Sequence, residues 1–321
     1  MRRHTQKWLF CVFFLLCLST RLAPAHAQDS TRQDLVRDNR ILELHISGQY
    51  TESMRQNLVA WIDFISTAMR EVYGHWPKQR WQVFVAPVSA SASDPIPWAQ
   101  VHRGQPDRVE FFTAANASVE QLKQAWTGYH EFAHLLIPYK GSGDAWFSEG
   151  LASYYQNLLQ ARSGVISEQQ MWQKLYDGSQ RGIADTTAVG QTLTTASNQM
   201  RQKGGFMRVY WSGAWYFLAA DTRLRQQSGG KLTLDLALKK LNECCANARL
   251  SVPEIVVKLD QLNRLLLFQG LYEDVAASTE TPSFEPIFSS LGINLVNGKV
   301  ILQDTGPGAR LRQQIASGKA L

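Results

Sequence analysis

The sequence predicts an α+β fold, in which a small mixed sheet lobe is followed by a mostly helical lobe. Three observations carry that expectation. Short alternating apolar runs crowd into residues 41–113, the pattern of half-buried strands. From residue 118 onward apolar residues recur at three- and four-residue steps, the pattern of helices. Between the two regimes stands His130-Glu131-Phe132-Ala133-His134, with Glu149 shortly after it, so the helices at the junction carry groups able to hold a metal ion.

In chain order, residues 41–46 alternate as a short strand. Residues 52–73 keep helical spacing through Met54, Leu58, Trp61, Ile62, Ile65 and Met69, and Gly74 stops the helix. Residues 81–85, 98–102 and 108–113 read as further strands, the last two joined through Gly104-Gln105-Pro106-Asp107. Ser118 with Gln121 forms a capping box for one continuous helix through the histidines, ended by Pro138 and Gly141-Ser142-Gly143. Asp144 is placed to cap the next helix, which runs to Ser163-Gly164. Beyond it, residues 168–176 read as a short helix and the polar stretch 185–205 as a surface excursion. Helices are then expected over 210–227, 234–245 and 253–267. The C-terminus reads as helix (284–292), strand (300–303) and helix (309–317).

The chemistry concentrates at the junction. On a helix, positions i and i+4 share a face, so the imidazoles of His130 and His134 can grip one ion from one side. Glu149 lies roughly 7–8 Å into its helix and His134 about 5 Å from the end of its own, at 1.5 Å per residue. In an antiparallel hairpin the two stand nearly level. Two imidazoles and one carboxylate are the ligand set of a catalytic Zn2+, a single ion with its fourth position open. Glu131, next to the first ligand, is the candidate general base. Asp144 and Glu168 are fallback carboxylates.

The termini set the compartment and the charge. Arg2, Arg3 and Lys7 precede an apolar run over residues 8–18, and Ala25-His26-Ala27 resembles a cleavage site, so residues 1–27 are expected to be a signal peptide. Secretion or export to a periplasm follows, with no stable membrane insertion after the signal is removed. The chain of 321 residues carries 33 basic and 27 acidic side chains, a net charge of +6. Four of the basic residues sit in the signal, leaving +2, so no nucleic-acid partner is inferred from charge. Cys244 and Cys245 are the cysteines outside the signal. Their Cα atoms lie too close for ordinary disulfide geometry, and buried free thiols are expected. Two lobes are read, residues 28–140 ending in the metal-binding helix and residues 141–321 carrying the third ligand.

Residues 129–156, with His-Glu-x-x-His and Trp146-Phe147-Ser148-Glu149-Gly150 followed by Ser153-Tyr154-Tyr155, resemble the gluzincin metallopeptidases. The glycyl-aminopeptidase family, related to the aminopeptidase N group, is the nearest match. A second block, from Tyr210-Trp211-Ser212-Gly213-Ala214 to Leu234, is similar to that family's helix after the zinc site. The resemblance implies a thermolysin-like catalytic domain, with His130, His134 and Glu149 on zinc, Glu131 as base and Tyr210 bonding the oxyanion. It implies a peptide or protein substrate. The chain departs from the family at Ser212, where lysine is usual, and in a shorter spacing from His134 to Glu149. No counterpart of the relatives' large β-domain or PDZ domain is evident, so the likeness is to the catalytic domain. Val101 stands where relatives place the glutamate that holds a free amino terminus, and Glu110 is the nearest substitute. Both endopeptidase and aminopeptidase readings stay open. An inactive peptidase-like domain that binds peptides or a partner protein is the alternative.

Overall fold

The computed structural model describes residues 30–91 and 93–320; the expected signal segment lies outside them. The described chain opens with a hairpin of β1 (Ser30–Arg37) and β2 (Arg40–Ser47). Asp38 and Asn39 both take left-handed backbone at its tip, with φ of 51° and 57°, the geometry that matches the twist of a two-residue turn. α1 (Glu52–Tyr73) has the bounds read from the sequence. The Thr51 hydroxyl accepts the Met54 N–H, and Gly74 closes the helix in left-handed backbone. β3 (Arg80–Val88), β4 (Trp98–His102) and β5 (Asp107–Ala114) complete a five-stranded mixed sheet ordered β1-β2-β3-β5-β4. The three central strands are parallel and the two outer ones antiparallel, which leaves β4 as a free edge.

The expected continuous helix over the histidines is two. α2 (Val119–Gln124) starts at the Ser118–Gln121 capping box, and Ala125 then turns extended before α3 (Trp126–Ala133). Tertiary bonds on both sides hold the break. The Gln124 carbonyl accepts from Gln160 Nε2, and the Thr127 hydroxyl donates to the Ile96 carbonyl. A 3-10 turn, His134–Leu136, finishes the segment. The chain then runs antiparallel through α4 (Ala145–Arg162), of which 14 of 18 residues are buried.

The polar stretch after α5 (Glu168–Ala184) is not a bare excursion, because it holds α6 (Leu193–Lys203). α5 also runs two turns further than its periodicity suggests. The polar side chains of 185–205 serve other helices. Ser197 accepts the Trp146 N–H at 2.9 Å and so caps α4. Asp144 does not, since it sits in left-handed backbone and its carboxylate accepts instead from Thr194 and Tyr272. Asp185 accepts from the Met207 and Arg208 N–H groups, capping α7 (Phe206–Ser228).

The helical lobe continues with α8 (Leu234–Cys245), α9 (Val252–Asn263) and α10 (Phe268–Ala277). The single helix expected over 253–267 ends at Arg264, which is left-handed. The Asp260 carboxylate then accepts three backbone N–H groups at the start of α10. α11 (Glu285–Ser290), the hairpin β6 (Ile293–Val296) and β7 (Lys299–Leu302), and α12 (Pro307–Ser317) finish the chain. Cys244 and Cys245 are joined by a disulfide rather than held as core thiols. Cys244 is exposed and Cys245 half-buried at the end of α8, so burial does not keep them reduced and apart. No helix among the described residues is long and apolar enough to cross a membrane.

One crossing fixes the site. A Cβ on Gly150 of α4 would lie 2.2 Å from the Gly213 backbone of α7, and one on Gly213 would lie 2.1 Å from the Trp146 carbonyl. The helices touch backbone to backbone, which no side chain at either position permits. Gly213→Ala is expected to lower stability by about 1–3 kcal/mol through overpacking, read as a drop in Tm. Asp185→Ala is expected to cost about 1 kcal/mol, as cap removals do. Thr187, Met207 and Arg208 hold the Asp185 carboxyl below its ordinary value against the opposing effect of burial. Its contribution is therefore full above the unfolded value of about 3.9 and is lost as pH falls through the lower folded value. Urea unfolding of both proteins at pH 7 and pH 2.5 checks this, with the difference between them smaller at the lower pH.

Candidate metal centre

Phe132 orients the metal helix. Its ring packs edge-on against Trp81 at 4.8 Å and beside Phe111 at 5.8 Å, anchoring one face of α3 on the sheet. His130, Glu131 and His134 project into a cleft instead. The His134 N–H donates to the His130 carbonyl, so the four-residue spacing keeps helical register into the 3-10 turn.

The Gly150–Gly213 contact brings Glu149 level with the histidines, as the sequence predicts. Glu149 Oε2 lies 3.2 Å from His130 Nε2 and 3.6 Å from His134 Nε2. The three donor atoms all fall within 4.8 Å of one another. Ligands about 2.0–2.2 Å from a tetrahedral zinc stand roughly 3.3–3.5 Å apart. The two imidazole nitrogens and one carboxylate oxygen fit zinc in both chemistry and spacing. Asp144 and Glu168 take no part: the first bonds Thr194 and Tyr272, and the second accepts from Arg312 and Trp172.

Sequence reasoning left the groups that orient the ligands unidentified. His130 Nδ1 donates to Gln156 Oε1 at 2.8 Å, and His134 Nδ1 and the Ser148 hydroxyl share a hydrogen bond at 2.9 Å. Each bond engages Nδ1 and leaves Nε2 facing the metal position. Both partners lie on α4, one beside Glu149 and the other two turns on, so the third-ligand helix also orients both rings. Their helical spacing from Glu149 was the available signal. Arg103, just past β4, donates to the His134 and Ile137 carbonyls and ties the end of the metal helix to the sheet edge.

Burial dominates the electrostatics. It pushes the Glu131 carboxyl up to about 7, with Glu149 adding to the rise and His130 and Arg103 opposing it. It pushes His134 down to about 3, which keeps that ring neutral. Burial alone would lower His130 too, but the Glu149 hydrogen bond and the charges of Glu131 and Glu149 carry it above its ordinary value. Glu149 ends below the usual carboxylate range because the two histidines and Tyr210 outweigh its burial.

The cleft has a volume of about 370 Å³ and lies between β4 and the helical lobe. Trp98, Ala99, Gln100 and Val101 form one wall, and Phe206 and Tyr210 face them. The Tyr210 ring stacks on His130 at 6.0 Å, and its phenol feels the charge of the Glu149 carboxylate. Burial and the neighbouring carboxylates push the Tyr210 phenol far up, so it is a hydrogen-bond donor. Glu131 and Glu149 are the carboxylates lining the cleft, against Arg103 and Arg201. Glu110 does not enter it, because its carboxylate is paired with His102 at 3.1 Å.

Residues 139–225 match the family model described as M61 glycyl aminopeptidase, a segment that holds Glu149 and Tyr210. A similar solved structure is an aminopeptidase N family protein from Idiomarina loihiensis, with 18% identity and a TM-score of 0.62 over 83% of this chain and 49% of that one. The chain shares its fold with that aminopeptidase N family protein. A further solved structure, the M1 zinc metallopeptidase from Deinococcus radiodurans, has 12% identity and a TM-score of 0.48 over 79% of this chain and 52% of its own. The chain thus spans about half the length of these solved structures. No curated protein matches it. The His130–Gln156 bond makes Gln156 testable: Gln156→Leu is expected to weaken zinc binding by about 10–100-fold, read by competition against a chromogenic chelator, with the circular dichroism spectrum unchanged.

Proposed function

We propose that the protein is a zinc-dependent peptidase acting outside the cytoplasm, secreted or periplasmic. The observation that carries this is the convergence of His130, His134 and Glu149 on one point beside an unpaired Glu131. When bound, the ion supplies Lewis acidity, activating water near neutral pH and polarising a carbonyl. His130 and His134 hold it through Nε2 and Glu149 through a carboxylate oxygen. Glu131 carries no hydrogen bond to any described residue and faces the cleft, so it is free to take the proton of the attacking water. It then passes that proton to the departing amine nitrogen. Tyr210, protonated and facing the same space, donates to the oxygen of the attacked carbonyl as charge builds there. The free edge of β4 offers an extended peptide unpaired backbone groups for strand addition.

The cleft favours internal bonds. Val101 offers nothing to an ammonium group and Glu110 is committed to His102. The substrate is therefore a peptide or protein whose amino terminus need not be free. The competing reading is a retired peptidase fold that binds peptides without cutting them. The unpaired, buried base speaks for the enzyme, because an uncompensated buried carboxylate is costly to keep without a use.

Glu131→Gln is expected to keep one zinc per chain by elemental analysis and to lose about 10²–10⁴-fold in turnover on a mixed peptide library. N-acetylation of those peptides is expected to leave cleavage by the wild type largely unchanged. Strict dependence on a free amino terminus refutes the endopeptidase reading. A wild-type protein that holds zinc and cuts nothing makes the binding-domain reading the right one.

A further inference from the structure

A second cavity, of about 410 Å³, lies on the other side of the His130–Tyr210 pair from β4, and both residues line it as well as the cleft. Its far wall is α5. Lys174, Asp177 and Arg181 recur there at positions i, i+3 and i+7, one face of the helix, and all three line the cavity. The wall is fixed to the catalytic helix. A Cβ on Gly178 would lie 2.1 Å from the Trp211 ring and one on Gly182 2.8 Å from the Trp211 Cβ, so α5 closes directly on α7 one residue from Tyr210.

The charges on this wall are unbalanced. Among the described residues neither Lys174 nor Arg181 is in an ion pair, and the Arg181 guanidinium lies over the Trp211 ring at 5.2 Å. Asp177 accepts from Gln173 and supplies the cavity's one carboxylate, leaving a net charge of +1. Lys174 is half-buried, and burial together with Arg181 lowers its pKa against the opposing charge of Asp177. Trp126, Met207 and Trp211 give it apolar walls, beside the polar side chains of Ser153, Gln156 and Asn157.

We infer that this cavity is a subsite for a carboxylate of the peptide next to the bond that is cut, held by Lys174 and Arg181. One unpaired positive charge matches one carboxylate, and the apolar walls match the methylenes that carry it. Two sources share that chemistry: an Asp or Glu side chain flanking the bond, or the C-terminus of a short peptide. The inference rests on the peptidase reading and narrows its substrate.

The test measures binding on zinc-loaded Glu131→Gln protein by calorimetry, so that it does not depend on turnover. One probe set is N-acetylated, C-amidated hexapeptides with Glu, Gln or Lys scanned through the central positions. The other is Gln-containing tripeptides with a free or an amidated C-terminus. Glu is expected to bind more tightly than Gln by on the order of tenfold at one position, as for a charge-assisted hydrogen bond. A preference confined to the free-acid tripeptides assigns the C-terminus as the source and equally supports the subsite. Adding Lys174→Met and Arg181→Met together is expected to bring the ratio to about one, and Lys174→Glu to turn it in favour of Lys. That reversal cannot come from damage to the fold. Equal binding of Glu and Gln and of acid and amide overturns the inference, as does a ratio the double variant leaves unchanged. Wild-type cleavage of neutral hexapeptides with no acidic preference at either level leaves the peptidase standing without the subsite. Selective binding by a wild type that cuts nothing does the reverse.

Discussion

The backbone contact between Gly150 and Gly213 is the constraint on which the rest of the site depends. α4 is buried nearly all round, so it has no solvent face on which to rotate and adjust. Its position is set by what it touches, and its closest contact lies one residue from Glu149. From that single placement α4 delivers the third ligand, the Ser148 hydroxyl to His134 and the Gln156 amide to His130. From the same contact α7 delivers Tyr210, one turn before Gly213. Polar groups hold α4 further along, with Tyr154 and Arg225 both on Asp221 of α7, and Tyr155 and Arg162 both on Asp235 of α8. These groups are buried, so each is costly to leave unpaired, and helix slippage would unpair several at once.

What was legible in the sequence was what local periodicity and spacing encode. α1 and β4 have the bounds their residue patterns specify, and the Glu149 height argument places three donors together because helix rise is nearly invariant. What was not legible depends on distant partners. Nothing in residues 119–133 marks the break at Ala125, which is held by Gln160 and Ile96 from elsewhere. Asp144 has the right chemistry for a cap but sits in left-handed backbone, and Ser197, some fifty positions later, takes its place. The stretch 185–205 looks like surface because its polar residues finish other helices. β1 shows almost no apolar alternation, being an edge strand exposed along most of its length, and only Asp38-Asn39 signals its turn.

The site residues divide in the same way. Ligands and base announce themselves because metal chemistry restricts both residue type and spacing. Gln156, Ser148 and Arg103 are ordinary residues whose roles exist only in three dimensions. Arg103 ties the metal helix to the sheet. It stands at the end of the edge strand, bonds the carbonyl of the second ligand and faces Asp107, which is also paired with Lys78. A shift of the β4 wall is therefore felt at His134, so the surface that receives a peptide backbone and the metal helix move as one body.

Recognition and chemistry are consequently carried by different parts of the fold. The β4 edge presents main-chain groups, which every peptide satisfies, and so contributes affinity without selectivity. The His130–Tyr210 stack stands between that edge and the α5 wall. In the proposed peptidase, selectivity is left to the side chains beyond the stack, where an unbalanced charge would distinguish one substrate side chain from another. Lys174 and Arg181 contact neither the metal donors nor the base, so residues on that face of α5 can vary without disturbing the catalytic groups. The tight seat of α5 on Trp211 then has a clear consequence. A selective wall discriminates only as well as it is held in place, and here it is held against the same helix that positions Tyr210.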